Sequence, residues 1–238
     1  MPSASDLDAV TVDAMGTLVD LDAPADRLRA ELAAAGVERP RDEVAAAFLA
    51  EVEYYLPRTL EGRDEASLAD LRRRCTEVFL EHARADLDPE AFAPRFVAGI
   101  VFRPLDGAAA ALRRLRRAGL ALACVSNWDA SLGPQLERAG LGGLFDHVVS
   151  SAEAGAAKPD PAVFVTALGR LGVPAARSLH VGDGEGDRDG AAAAGLAFEP
   201  VPLATLPERL GLGSVRKVAT VDDTRHVGQG KDAGGADT

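Results

Sequence analysis

Ala9-Val10-Thr11-Val12-Asp13-Ala14-Met15-Gly16-Thr17 is the stretch on which the fold turns. The short apolar, β-branched run reads as a buried strand. It ends at Asp13 and gives way to a loop at Gly16. A strand that delivers a carboxylate to its C-terminal end is a natural place for chemistry in an open α/β sheet.

The pattern changes on the C-terminal side of this stretch. Residues 25–35, 41–56, 64–84 and 89–97 carry helical periodicity, punctuated by Pro40, Pro57 and Pro89. Beyond Arg103-Pro104, strand and helix patterns alternate. Helices are predicted over 107–118, 130–139, 161–171 and 188–194, and strands over 120–125, 145–149, 179–181 and 197–201. Such alternation predicts βαβ units and a parallel sheet. The expected architecture is therefore α/β. A Rossmann-like parallel-sheet core spans 1–19 and 99–221, an α-helical cap is inserted at 20–98, and a disordered, Gly- and Asp-rich tail covers 222–238. An insertion after the first strand sits over the carboxyl end of the sheet, where it can act as a lid.

Composition bounds the function. The chain has 238 residues, 47% hydrophobic and 26% charged, the balance of a globular protein. A net charge of −11 argues against nucleic acid or an anionic membrane as a partner. Cys75 and Cys124 stand in no CxxC or Cys/His pattern, so reduced structural thiols and a cytoplasmic location are expected. Met1 to Asp8 shows no signal-peptide pattern, and no stretch reaches transmembrane length.

Four segments fall at the predicted carboxyl ends of strands: Asp13 to Thr17, Ser126-Asn127, Lys158-Pro159, and Gly182-Asp183 with Asp187. Asp13 and Asp183 on one rim repel each other unless a cation lies between them. Oxygen-only ligands suit Mg²⁺, which binds through one or two carboxylates and a substrate phosphate. Asp13 can then be both ligand and nucleophile. Lys158 supplies charge to keep Asp13 ionised and to stabilise a transferring phosphoryl group. Thr17, Ser126, Asn127 and Lys158 are the candidate phosphate contacts.

In these segments the chain resembles the haloacid dehalogenase superfamily, in the form that carries a helical cap after the first motif. The resemblance spans residues 7 to 210 and rests on four motifs. They are the strand ending Asp13-Ala14-Met15-Gly16-Thr17, the strand ending Ser126-Asn127, the Lys158-Pro159 pair, and Gly182-Asp183-Gly184-Glu185-Gly186-Asp187. It implies Asp13 as nucleophile, with Asp13, the Met15 carbonyl and Asp183 around Mg²⁺. It also implies Ser126 and Lys158 on the phosphate, and Asp187 supporting the metal or Lys158.

One residue departs from the family pattern. Met15 stands where the family's phosphatases carry a second Asp that serves as general acid/base, a function typically worth about 10²–10⁴-fold in rate. The expected activity is Mg²⁺-dependent hydrolysis of a small phosphorylated metabolite, by a monomer or homodimer. The alternatives are a metal-independent 2-haloacid dehalogenase and a low-activity or non-catalytic binding protein. The retained Asp183 and Asp187 argue against the dehalogenase.

Overall fold

A computed structural model describes residues 2–213. The tail expected from Asp222 lies outside the described residues. In chain order the elements are β1 (Ala9–Val12), β2 (Val19–Leu21), α1 (Pro24–Ala34), α2 (Arg41–Tyr55), α3 (Glu65–His82), α4 (Pro89–Gly99), β3 (Phe102–Pro104), α5 (Ala108–Arg117) and β4 (Ala121–Ser126). They continue with α6 (Leu132–Arg138), β5 (His147–Ser150), α7 (Ser151–Ala154), α8 (Ala162–Leu171), β6 (Ser178–Gly182), α9 (Glu185–Ala193), β7 (Ala197–Pro200) and α10 (Leu206–Arg209).

Five strands form a parallel sheet in the order β5-β4-β1-β6-β7. The α/β expectation and its Rossmann-like sheet hold. β1 is central, and all four of its residues are buried. Side-chain alternation along β4 splits the core between the two faces of the sheet. Leu122 and Cys124 pack on the face covered by α5 and α6, and Ala123 and Val125 on the face covered by α8 and Ala191 of α9.

α1 to α4 pack on one another around a separate apolar cluster that includes Leu28, Leu32, Phe48, Leu71, Phe79 and Phe96. The Phe79 and Phe96 rings lie 5.0 Å apart. Local signals start these helices. Asp64 accepts the Ser67 N–H ahead of α3, and Asp88 accepts the Ala91 N–H ahead of α4, where Pro89 has no N–H that needs an acceptor.

β2 and β3 form an antiparallel pair that leads out to the helical block and back, with Asp20 opposite Arg103. Neither strand is visible in the periodicity, because three residues are too few to show an alternation. α9 also begins at Glu185, before the expected 188, because Asp187 caps its first turn by accepting the Gly184 N–H. Among the described residues no helix is long and apolar enough to cross a membrane. Both cysteines are free and buried, and burial pushes both thiols up, away from reactivity.

Candidate active site

Register brings the sequence-predicted residues together. Val12 pairs with Cys124 of β4 and with Val181 of β6. Asp13 therefore leaves the sheet between Ser126, at the end of β4, and Gly182-Asp183, at the end of β6. Its backbone N–H is held by the Val181 carbonyl at 2.9 Å.

The side chains meet around Lys158. Its Nζ lies 2.5 Å from Asp13 Oδ1 and 2.5 Å from Asp187 Oδ1, and it donates to the Val125 carbonyl at 3.2 Å. Ser126 Oγ donates to the same Asp13 Oδ1 at 2.9 Å. Asp13 Oδ2 has no hydrogen-bond partner among the described residues, so it faces the site unused. Burial works against the charge on Lys158, but the Asp13 and Asp187 carboxylates outweigh it and hold the ammonium above the ordinary lysine value.

Asp187 ties the site to the interior. Burial alone would raise its pKa, yet the contacts with His180 and Lys158 hold it well below the usual carboxylate range. His180 Nε2 lies 2.9 Å from Asp187 Oδ1, and its Nδ1 lies 2.9 Å from Thr11 Oγ1. Burial pushes the His180 imidazole below its ordinary value, so it is neutral at pH 7 and its tautomer is set by these two neighbours. Asp187 thus caps a helix and holds Lys158 at once.

Asp183 is exposed, but one oxygen from each of Asp13, Asp183 and Asp187 falls within 4.8 Å of the others. Burial, then the Asp13 and Asp187 charges, push the Asp183 carboxyl up from its ordinary value. Gly16 makes room for this approach. Its φ is +74°, and a Cβ there would collide with the Asp183 carboxylate. The chemistry of this donor set fits a hard divalent cation: three carboxylates, with no Cys or His in the cluster. Thr17 Oγ1, in the loop that follows Asp13, is buried without a hydrogen-bond partner among the described residues. A buried unpaired hydroxyl of that kind is costly unless something else satisfies it.

Asn127 bonds the backbone of Lys158. Its amide accepts the Lys158 N–H at 2.7 Å and donates to the Lys158 carbonyl at 3.0 Å. The amide oxygen and one of the two amide N–H groups position the lysine loop, which leaves the second N–H for another acceptor. Met15 is half-buried and packs against the core while lining a cavity on the side of the helical block.

That cavity has a volume of about 180 Å³ and lies between the sheet rim and α2, α3 and α4. Trp128 lines it, and its ring packs edge-on against Phe102 at 4.9 Å. Tyr55 lines it too, donating to Asp129 at 3.1 Å across the junction of the two units. Tyr54 lies under Arg58, 3.8 Å from guanidinium to ring centre, in a local stack on the helical unit. The sequence reading missed Thr11, Glu51 and Asp129. No motif flags them, although the polar residue inside each apolar stretch was a usable signal for Thr11 and Glu51.

A family model described as haloacid dehalogenase-like hydrolase matches residues 7–195. The chain belongs to the haloacid dehalogenase-like hydrolase family. The chain is 40% identical over 134 residues to haloacid dehalogenase-like hydrolase domain-containing protein 3 of Bos taurus, covering 51% of this chain and 53% of the relative. It is 30% identical over 197 residues to a phosphoglycolate phosphatase of Pseudomonas syringae pv. tomato, covering 81% of this chain and 65% of the relative. The chain thus spans about half the length of the first relative and just under two thirds of the second. Among solved structures, an L-2-haloacid dehalogenase from Xanthobacter autotrophicus superposes with a TM-score of 0.61 at 27% identity, covering 89% of this chain and 85% of that one.

Proposed function

We propose that this member of the haloacid dehalogenase-like hydrolases is a Mg²⁺-dependent phosphohydrolase, acting on a small phosphorylated metabolite through an aspartyl-phosphate on Asp13. The observation that carries the reading is the convergence of Asp13, Asp183 and Asp187 on one point, with Lys158 between two of them. One lysine leaves two of the three carboxylate charges uncompensated, and a divalent cation balances them. Asp13, the Met15 carbonyl and Asp183 are the proposed holders of Mg²⁺, with Asp187 behind them. When bound, Mg²⁺ supplies positive charge against the phosphoryl oxygens.

The chain's own residues do the rest. Asp13 Oδ2, the oxygen with no partner, attacks phosphorus as the bond to the ester oxygen breaks. That oxygen leaves with its electron pair and takes a proton from water, because Met15 has none to give. A second water then cleaves the acyl phosphate, releasing inorganic phosphate and restoring the Asp13 carboxylate. Ser126 and Lys158 hold Asp13 Oδ1, which fixes the direction of Oδ2, and Lys158 offers its charge to the transferring group. Thr17 Oγ1 gains a partner when a phosphate arrives. The helical block at 20–98 is the cap, and its cavity takes the organic part of the substrate.

A 2-haloacid dehalogenase is the second reading, favoured by Met15 and by the likeness to the Xanthobacter enzyme. It gives no use to the three-carboxylate cluster. Phosphate release from an ester panel, with Mg²⁺ and with EDTA, tests the choice. Release that needs Mg²⁺ and vanishes in Asp13→Asn supports the proposal. Halide release that survives EDTA would replace it.

A further inference from the structure

The cavity under the helical block has an unusual wall. Five aromatic side chains line it: Phe48, Tyr55, Phe96, Phe102 and Trp128. Among its charged neighbours are two carboxylates, Glu51 and Asp129, and one guanidinium, Arg72. Asp129 is satisfied, accepting from Tyr55 and from the backbone and side chain of Ser131. Arg72 also lines an outer cleft between α3 and α4, together with Asp70 and Glu90.

Glu51 differs from both. It lies on α2 and is 4% exposed. It forms no salt bridge and accepts no N–H or O–H among the described residues, and only the Cys75 thiol lies beside it. Burial pushes its carboxyl up to about 7, a shift that neither Arg72, Asp13 nor Lys158 offsets. A buried carboxyl whose partner is a thiol, a weak donor, is costly, and a position that faces a cavity can recover that cost from a ligand.

We propose that Glu51 selects the organic part of the substrate, and that the substrate class is the phosphate monoesters of small amino alcohols, bound with the ammonium group against Glu51 and the aromatic wall. The proposal rests on the phosphohydrolase reading for the phosphate end. The chemistry favours an ammonium over its rivals. A cation meets an ionisable carboxyl, a second carboxylate nearby, and ring faces that attract positive charge. A carboxylate in the same place meets Glu51 and Asp129 with like charge. A neutral hydroxyl gains one hydrogen bond, but neither the ion pair nor the ring faces. The volume of about 180 Å³ suits a chain of a few carbons rather than a nucleoside.

The test is a matched series of propyl, 3-hydroxypropyl, 3-aminopropyl and 2-carboxyethyl phosphate. Turnover is measured with Mg²⁺ on the wild type, and binding by calorimetry on Asp13→Asn with and without Glu51→Gln. The expected order places the aminopropyl ester first and the carboxyethyl ester last. Glu51→Gln should reduce the aminopropyl-over-propyl ratio by about 10- to 100-fold, the range for loss of a hydrogen bond to a charged group. A flat ranking, or one led by the carboxylate or the hydroxyl, overturns the proposal, and the wild-type series decides this even if the variants do not fold. If no ester is hydrolysed but calorimetry keeps the ammonium order, the phosphohydrolase reading fails and the Glu51 subsite stands.

Discussion

Replacing Glu51 by glutamine should stabilise this protein at alkaline pH, although it removes a charged residue from a buried site. Glu51 is held protonated by burial, with a carboxyl pushed up to about 7 from 4.5. The folded state therefore binds a proton that the unfolded chain releases. The resulting contribution is fully present below about pH 4.5 and is lost as pH rises through 7. A shift of that size corresponds to roughly 3 kcal/mol at pH 8, and to less than about 1 kcal/mol at pH 5. Glutamine has the same shape and never ionises, so the variant escapes the loss. Urea denaturation of both proteins from pH 5 to pH 8 gives the difference directly. In thermal melts, roughly 3 kcal/mol corresponds to a midpoint higher by about 6–12 °C at pH 8 for a chain of this size. A difference that stays constant between pH 5 and pH 8 would refute the reasoning, because it would mean that Glu51 is ionised in the fold or has a partner there.

Met15→Asp should raise phosphate release by up to about 10²-fold, since it restores a carboxyl beside the nucleophile; an unchanged rate would mean that proton transfer does not limit turnover. Lys158→Met should destabilise the fold by about 3–5 kcal/mol, because Asp13 and Asp187 lose the cation they share. Added Mg²⁺ should recover more stability in that variant than in the wild type, and equal Mg²⁺ responses in thermal melts would contradict the carboxylate cluster as the metal site. Gly16→Ala should weaken Mg²⁺ binding measured by calorimetry and cost about 1–2 kcal/mol of stability, given its positive φ and the crowding against Asp183. Unaltered Mg²⁺ affinity would separate Asp183 from the metal.

Much of the fold was legible because its signals are local. Val10 to Val12 announce a buried strand, Pro40, Pro57 and Pro89 punctuate the helical block, and the alternation after Arg103 announces a parallel sheet. Thr17, Ser126, Lys158, Asp183 and Asp187 were legible beside Asp13 because short motifs repeat at strand ends. The part that could not be read is the part built from pairs distant in sequence. β2 and β3 are three residues each and exist only as a pair, which sets Asp20 opposite Arg103, 83 positions away. That the Asn127 amide also holds the lysine loop, 31 positions on, is visible only in the folded chain.

The sequence by itself determined the α/β class, the helical block after the first strand, and the identity of the carboxylates at the sheet rim. Each depends on periodicity or on spacing within a few residues. The tertiary structure decided that Asp187 joins Lys158 to His180, that Asp13 Oδ2 is left free among the described residues, and that Glu51 faces a cavity with the Cys75 thiol beside it. Those properties depend on burial and on which groups approach within hydrogen-bond distance. Contacts between residues 7 to 145 positions apart set the geometry around Asp187 and Asp13, and only the packed chain brings those residues together.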